Sequence, residues 1–122
     1  MRGGDRTALG LWGEEQAARH LKWRGYRILE TRYRCREGEI DLVAQRGNFL
    51  CFVEVKLRKD DSMAQAREFV TPAKQRKVRT AAMHYLMEHP ADKQPRFDVV
   101  EVYAPQGQET RRPVIRHWPD AF

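Results

Sequence analysis

The sequence has little of what marks secreted, zinc-finger or membrane proteins. Of its 122 residues only two are cysteine, Cys35 and Cys51, and they form no CxxC pair. The sequence therefore suggests neither a disulfide framework nor a zinc site. No apolar stretch approaches the roughly 20 residues that span a bilayer, and the opening MRGGDRTALG lacks the apolar run of a signal peptide. These absences predict a cytoplasmic protein with no membrane contact.

Ligand-type histidine spacing and nucleotide-binding glycine loops are also missing. His20, His84, His89 and His117 form no metal-ligand pattern, so we interpret them as structural or surface residues. Positive charge, by contrast, is in excess: 23 Lys and Arg against 17 Asp and Glu give a net charge of +6. This balance favours polyanionic partners, although on charge alone a basic protein without such a partner is an equal alternative.

The length suits one domain, which we assign to residues 1–122 with a core at about 7–103 and a C-terminal extension at 104–122. Apolar periodicity and capping residues predict an α/β fold in which a mixed sheet is flanked by helices. The predicted elements are a helix over 7–24, a strand over 26–34, two strands within 39–56, a helix capped by Thr71 and opened by Pro72, a strand over 96–103, and an edge strand over 112–118.

The stretch EIDLVAQRGNFLCFVEVK, residues 39–56, predicts a β-hairpin closed by Gly47-Asn48. In this register Ile40, Leu42 and Ala44 lie on one apolar face of the hairpin. Asp41 then lies directly opposite Glu54, and the next residue of that face on the third strand is Lys56. Matching of apolar residues across the hairpin supports the register.

Two opposed carboxylates about 5 Å apart would repel by on the order of 3 kcal/mol at an effective dielectric near 20. A shared proton, a neighbouring cation or a divalent metal could offset this repulsion. Hard ions such as Mg²⁺ or Mn²⁺ prefer oxygen ligands, which Asp41, Glu54 and the Val55 carbonyl would supply. Lys56 could orient water or stabilise charge during phosphodiester hydrolysis. The alternative is a surface salt-bridge cluster.

Glu14 is the unusual acid of the first helix. It lies three, four and seven residues before Ala17, Ala18 and Leu21, and therefore shares their inward face. Glu15 lies on the outward face. Glu14 is thus a third candidate site residue.

Two basic runs could contact a phosphate backbone. The alternative for each run is a solvated face. The first comprises alternating residues of one strand, and the second crowds the start of the second helix, whose N-terminus attracts phosphate. The runs are Arg32, Arg34 and Arg36, and Lys74, Arg76 and Lys77, with Arg58 extending the rim.

Five separated motifs carry a family resemblance: GEEQAARHL, GEID, FVEVK, VTPAKQRK and RFDVV, in this order. With them the chain resembles the YraN-type uncharacterised protein family 0102, over about residues 10–103. That family in turn resembles the PD-(D/E)xK nuclease superfamily, especially Holliday-junction resolvases.

The resemblance implies a restriction-endonuclease-like αβββαβ core. It implies Asp41 and Glu54 as ligands of Mg²⁺ or Mn²⁺, Lys56 as the catalytic lysine and Glu14 as the acid that completes the site. Lys74 or Gln75 would correspond to a further polar position facing the site. DNA is the implied partner, and a homodimer is left open.

The chain departs from the family pattern at three places. Arg32 replaces the usual asparagine, Glu37 stands where glycine is common, and Met63-Ala64 replace a usual Phe-Gly pair. The acidic and lysine positions are retained.

These observations lead to the hypothesis of a metal-dependent DNA endonuclease that is selective for branched DNA. One alternative is a nucleic-acid-binding module that keeps the fold without cleavage. Another is an adaptor that joins a protein partner through an edge strand or a helix.

Overall fold

The computed structural model describes residues 7–59 and 70–122. The predicted Met63-Ala64 departure lies outside these residues. The described chain contains two α-helices, five strands and a short 3₁₀ turn, in the predicted order αβββαβ followed by a last strand. The elements are α1 (Ala8–Trp23), β1 (Arg27–Cys35), β2 (Gly38–Arg46), β3 (Phe49–Arg58), α2 (Pro72–Glu88), β4 (Gln94–Tyr103), the 3₁₀ turn (Gly107–Glu109) and β5 (Val114–Trp118).

Both helices begin at a threonine cap, and the cap of α2, Thr71, is the predicted one. The Thr7 Oγ1 accepts a hydrogen bond from the Gly10 N–H at 3.0 Å, and the Thr71 Oγ1 accepts one from the Lys74 N–H at 3.1 Å. Each cap satisfies one of the N–H groups that lack a partner in the first turn. After α1 the chain turns at Gly25, whose φ of +92° favours glycine.

The strands form one mixed sheet in the order β1-β2-β3-β4-β5. Strands β1, β2 and β3 pair antiparallel, β3 and β4 pair parallel, and β5 pairs antiparallel to β4. The parallel pair is joined through α2, because parallel neighbours need a long crossover. The sheet confirms the predicted mixed α/β fold, and β5 makes the segment predicted as an extension part of it.

The two helices cover opposite faces of the sheet. On one face Ala17 and Leu21 of α1 pack against Leu42, Val53 and neighbouring apolar residues. On the other face a second core cluster joins α2 to the sheet, with members Tyr33, Ile40, Val43, Leu50, Phe52, Val78, Ala81, Ala82 and Tyr85. The result is a three-layer arrangement of helix, sheet and helix.

The β2–β3 register agrees with the prediction only near the turn. Paired residues run from Arg46–Phe49 to Leu42–Val53, as expected. The pairing ends there, so the direct pair of Asp41 with Glu54 is absent from the ladder. Ile40 also lies in the α2-side core while Leu42 lies in the α1-side core, which corrects the prediction that they share a face.

The cause is a break in strand alternation at one position of β1 and β2. Thr31 pairs with Leu42 and Tyr33 with Ile40, so Arg32 and Asp41 lie between these pairs. The Arg32 backbone has a φ of 53°, which is the left-handed region. Ile40 and Leu42, the two neighbours of Asp41, therefore face opposite sides of the sheet. In a regular strand they would face the same side.

Candidate active site

Three acids from different elements are buried at this irregular end of the sheet. Glu14 of α1 is 8% exposed, Asp41 of β2 is 6% and Glu54 of β3 is 3%. Glu14 and Glu54 line one cleft of about 620 Å³, together with Val55 and Lys56. Such burial of carboxylates is unusual unless they are paired or functional.

Asp41 reaches the same stretch of β3 through the backbone. Its Oδ2 accepts a hydrogen bond from the Val55 N–H at 2.8 Å. The break in pairing after Leu42–Val53 gives the side chain this access, because the Val55 amide is no longer used in the β2–β3 ladder. Asp41 therefore contacts β3 between Glu54 and Lys56 through a side-chain hydrogen bond rather than through direct strand pairing.

Two lysines place positive charge beside Glu54. The Lys74 Nζ lies 3.3 Å from the Glu54 Oε2, and the Lys56 Nζ lies 3.9 Å from the same oxygen. Lys56 follows Glu54 by two residues and shares its face of β3. Lys74 is brought in by the first turn of α2, which Thr71 caps. Lys56 and Lys74, which the sequence analysis names as candidate site residues, therefore both lie beside Glu54.

Arg32 lies inside the site instead of on an exposed basic row. Its Nε donates to the Glu14 Oε1 at 2.8 Å, and the two side chains are 21% and 10% exposed. Arg34 is half-exposed and lies 3.3 Å from Glu39, and Arg36 lies in the turn after β1. The predicted alternation of Arg32, Arg34 and Arg36 along one face is therefore not observed, because β1 is irregular at Arg32.

The second basic run is divided between the cleft and the outer surface. Lys74 lines the cleft, and the Gln75 side chain donates to the Val70 carbonyl at 2.9 Å. Arg76 and Lys77 are exposed. Arg58, which was predicted to extend the basic rim, instead pairs with a buried acid. Its Nε lies 3.3 Å from the Glu101 Oε2, and its side chain is only 21% exposed.

Lys74 also borders a second groove of about 340 Å³ that lies next to the cleft. Its basic lining residues are Arg34, Arg36, Lys74 and Lys77. Lys74 therefore borders both the cleft and this second groove, the basic groove, whose lining also includes Glu37 and Glu39.

Two further buried acids, Asp98 and Glu101 of β4, were not assigned a role from the sequence. Asp98 accepts hydrogen bonds from the Arg96 side chain and the Asp120 N–H and contacts His117 Nε2 at 2.8 Å. Burial raises the pKa of Asp98, but the hydrogen bonds with His117 and Arg96 outweigh it and hold the pKa below its ordinary value. A lone acid in a β-branched strand was the only sequence signal.

Glu101 is held in a similar way, farther along β4. Its Oε1 accepts hydrogen bonds from the Tyr103 hydroxyl and the Trp118 Nε1, both at 2.9 Å. Burial, followed by the bond to Glu101, raises the pKa of Tyr103. Asp98 and Glu101 therefore fasten β5 and the following residues to the sheet, which distinguishes them from the acids that line the cleft.

Asp41, Glu54 and the Val55 carbonyl are the oxygen donors of this region that could hold a hard cation. All these donors are oxygens, which Mg²⁺ and Mn²⁺ prefer. Lys56 and Lys74 lie where they could contact an anionic ligand.

Among the described helices, none combines the length and apolarity that a bilayer crossing needs.

Comparison with known proteins gives one consistent result. Residues 13–102 match the family model described as "Uncharacterised protein family UPF0102". A UPF0102 protein of Syntrophotalea carbinolica is 43% identical over 96% of this chain and 93% of its own length. Another, from Frankia alni, is 47% identical over 96% of both chains. The chain therefore belongs to the uncharacterised protein family UPF0102.

Proposed function

We propose that this protein is a divalent-metal-dependent DNA endonuclease that hydrolyses phosphodiester bonds, with selectivity for branched DNA. One observation supports the proposal most: the buried Asp41 accepts a hydrogen bond from the Val55 N–H, directly between the buried Glu54 and Lys56, at the place where the β2–β3 pairing ends. The likeness of this set to PD-(D/E)xK nucleases supports the reaction type by analogy.

The burial of these acids is difficult to explain by stability alone. Removing an ionised carboxylate from water costs several kcal/mol, and an ion pair often fails to recover that cost. Apolar side chains at Asp41 and Glu54 would continue the cores that β2 and β3 already form. Glu54 lines the cleft and Asp41 contacts Val55 of its lining, and buried acids at such a place are typical of residues kept for binding or catalysis.

The donor set fits Mg²⁺ or Mn²⁺. Asp41 and Glu54 would hold the ion, with the Val55 carbonyl as a third oxygen ligand. When bound, the ion would supply Lewis acidity toward a phosphate diester.

The chain's own residues would perform the remaining tasks. Lys56 would hold a water molecule and stabilise negative charge at the phosphate, and Lys74 would add a second positive charge at Glu54. Glu14 would orient water or complete the metal shell, with its carboxylate positioned by Arg32. These roles use the same ammonium and carboxylate groups that line the cleft.

The basic groove would guide the DNA backbone to the cleft. Arg34, Arg36 and Lys77 lie on the far side of Lys74 from Glu54. Contacts of this kind release counterions, so we expect affinity to fall steeply with salt. Arg76 is exposed on the same helix and would contact phosphates near the groove.

The test is cleavage of four-way junction, flap and linear duplex DNA in the presence of Mg²⁺ or Mn²⁺. We expect metal-dependent cleavage that is fastest on the junction. Asp41→Asn, Glu54→Gln and Lys56→Ala should each lower the rate by at least about 100-fold, the range seen when one essential electrostatic or acid–base group is removed. Glu15→Gln, which removes an exposed acid of α1, should leave the rate unchanged.

Calorimetric titration of Mn²⁺ measures the metal site separately from cleavage. The wild-type protein should bind Mn²⁺, and the double variant Asp41→Asn, Glu54→Gln should not. Absence of cleavage together with unchanged Mn²⁺ binding in the double variant would refute the proposal.

A second candidate function is DNA binding without cleavage. It is favoured by the two lysines near Glu54, whose charges offset that of the acid without a metal. This function predicts salt-sensitive DNA affinity, no turnover with any divalent ion, and an affinity that does not change in Lys56→Ala.

A further inference from the structure

A second group of metal-ligating side chains lies where the β1–β2 turn meets α2. It consists of Cys35 at the end of β1, Glu37 in the turn and His84 on α2, and its ligand atoms all lie within 4.8 Å of one another. The His84 Nε2 is 3.0 Å from the Glu37 Oε1. The group could not be predicted from the sequence, because His84 is 47 residues beyond Glu37 and no local spacing of ligand residues indicates it.

The donor set differs in kind from that of the cleft. A thiolate, an imidazole and a carboxylate are the ligands of zinc-type sites, whereas the cleft offers oxygen donors for hard ions. The charges also balance, since a thiolate and a carboxylate together neutralise a divalent ion. A tetrahedral zinc holds its ligand atoms roughly 3.3–3.6 Å apart, so small side-chain rotations would close this group around an ion.

We propose that Cys35, Glu37 and His84 form a zinc site that fastens the β1–β2 turn to α2. Binding joins the Cys35 sulfur to the ion and releases the thiol proton to water. Three protein ligands leave a fourth position for water or an anion. Both Glu37 and His84 are partly exposed, at 46% and 43%, so an ion can enter without unfolding.

The site would fix the position of the basic groove. Cys35 and Glu37 line that groove with Arg34 and Arg36, and Lys77 lies two turns before His84 on α2. A link between the turn and α2 would hold the two basic runs at a constant separation. The proposal does not depend on the proposed nuclease, because it uses none of the cleft acids.

The test uses Co²⁺ as a spectroscopic substitute for Zn²⁺, added to the reduced full-length protein without DNA. We expect one equivalent to bind with a thiolate-to-cobalt charge-transfer band in the near ultraviolet, and one equivalent of Zn²⁺ to remove the band. Cys35→Ser should abolish the band. His84→Ala, a change on the helix surface, should weaken the affinity by at least about tenfold.

Matched variants separate this site from the other candidates. The band should persist in Cys51→Ala, since that thiol is fully buried in the core, and in His89→Ala, a histidine directly after the end of α2. It should also persist in Asp41→Asn, Glu54→Gln, which removes the proposed nuclease site. Absence of the band up to millimolar Co²⁺, or its survival in Cys35→Ser with circular dichroism showing a folded protein, would overturn the proposal.

Discussion

The left-handed backbone of Arg32 is the residue that most affects the candidate site. Its φ of 53° costs an L-residue with a Cβ about 1–2 kcal/mol. Asparagine tolerates this conformation better than arginine does. The Arg32 guanidinium, however, lies 2.8 Å from Glu14, so backbone strain and electrostatic stabilisation oppose each other here.

We predict that Arg32→Asn destabilises the protein by about 1–2 kcal/mol. Removing one partner of a fully buried ion pair costs about 3–5 kcal/mol, and the cost is smaller here because the pair is partly exposed. Relief of the backbone strain at residue 32 offsets about 1 kcal/mol of that cost. In a Glu14→Gln background the same change should be neutral or stabilising. Urea unfolding of the wild type, the two single variants and the double variant measures both effects.

Arg34→Asn is the matched control, because Arg34 lies in β1 and its ion pair with Glu39 is half-exposed. Its effect should stay within about 0.5 kcal/mol. Equal effects of Arg32→Asn with and without the Glu14 carboxylate would contradict the proposed balance.

Asp98 is a buried acid whose interactions stabilise the folded protein. We predict that Asp98→Asn lowers the free energy of unfolding by about 3–5 kcal/mol, since it removes the charge that Arg96 and His117 contact. Asp92→Asn, at an exposed position, should change it by less than about 0.5 kcal/mol. A loss below about 1 kcal/mol for Asp98→Asn would show that the network contributes little.

The same network should give an acid dependence. The pKa of Asp98 is lower in the folded state than its ordinary 3.8, so its contribution is present above pH 3.8 and is lost as the pH falls through the folded-state value. The stability difference between the wild type and Asp98→Asn should thus shrink as the pH falls below 3.8.

At the scale of elements, the helix caps and the hairpin could be predicted from sequence, while the irregular strand could not. Thr71-Pro72 and Gly47-Asn48 are local signals, and the structure confirms the helix start and the turn register. The break at Arg32 and Asp41 has no local signal in the sequence. The pattern of apolar and polar residues around it is compatible with a regular strand. The sequence predicts which acids are candidate site residues, but the geometry of those acids depends on that break.

The cap of α2 connects stability with the cleft. We predict that Thr71→Ala costs about 1 kcal/mol, because it removes the acceptor for the Lys74 N–H. It should also weaken the proposed nuclease by loosening the turn that presents Lys74 to Glu54. Thr71→Ser, which keeps the acceptor, should restore both properties, as measured by thermal unfolding and DNA cleavage. Equal loss in the serine variant would exclude the cap as the cause.

At the scale of the whole molecule, the strand order and the faces taken by the helices could not be read from the sequence. Local patterns specify each element, but the parallel pairing of β3 with β4 depends on contacts far apart in the chain. Likewise, the apolar stripes of α1 and α2 do not indicate which face each helix covers. The residues after 103 also have a weak local pattern, although their partners Asp98 and Glu101 are among the most buried polar residues described.

We therefore predict that deletion of residues 104–122 abolishes cooperative unfolding. The deletion removes the β5 pairing and leaves Asp98 and Glu101 without the contacts of His117, Trp118 and the Asp120 amide. Near-ultraviolet circular dichroism and urea unfolding measure the loss. A truncated protein with a sharp unfolding transition would show that residues 7–103 are an independent core.

The parallel pairing of β3 with β4 has a consequence for how the chain assembles. Strands β1, β2 and β3 meet through short turns, whereas β4 must close a much longer loop before it joins β3, and long loops close slowly. The meander that carries Asp41 and Glu54 should therefore gain amide protection before β4 in pulsed hydrogen exchange during refolding. Simultaneous protection of all strands would contradict this order. If the order holds, Asp41 and Glu54 stand on adjacent strands early in folding, and Lys74, which contacts Glu54, arrives later with the crossover that leads to β4.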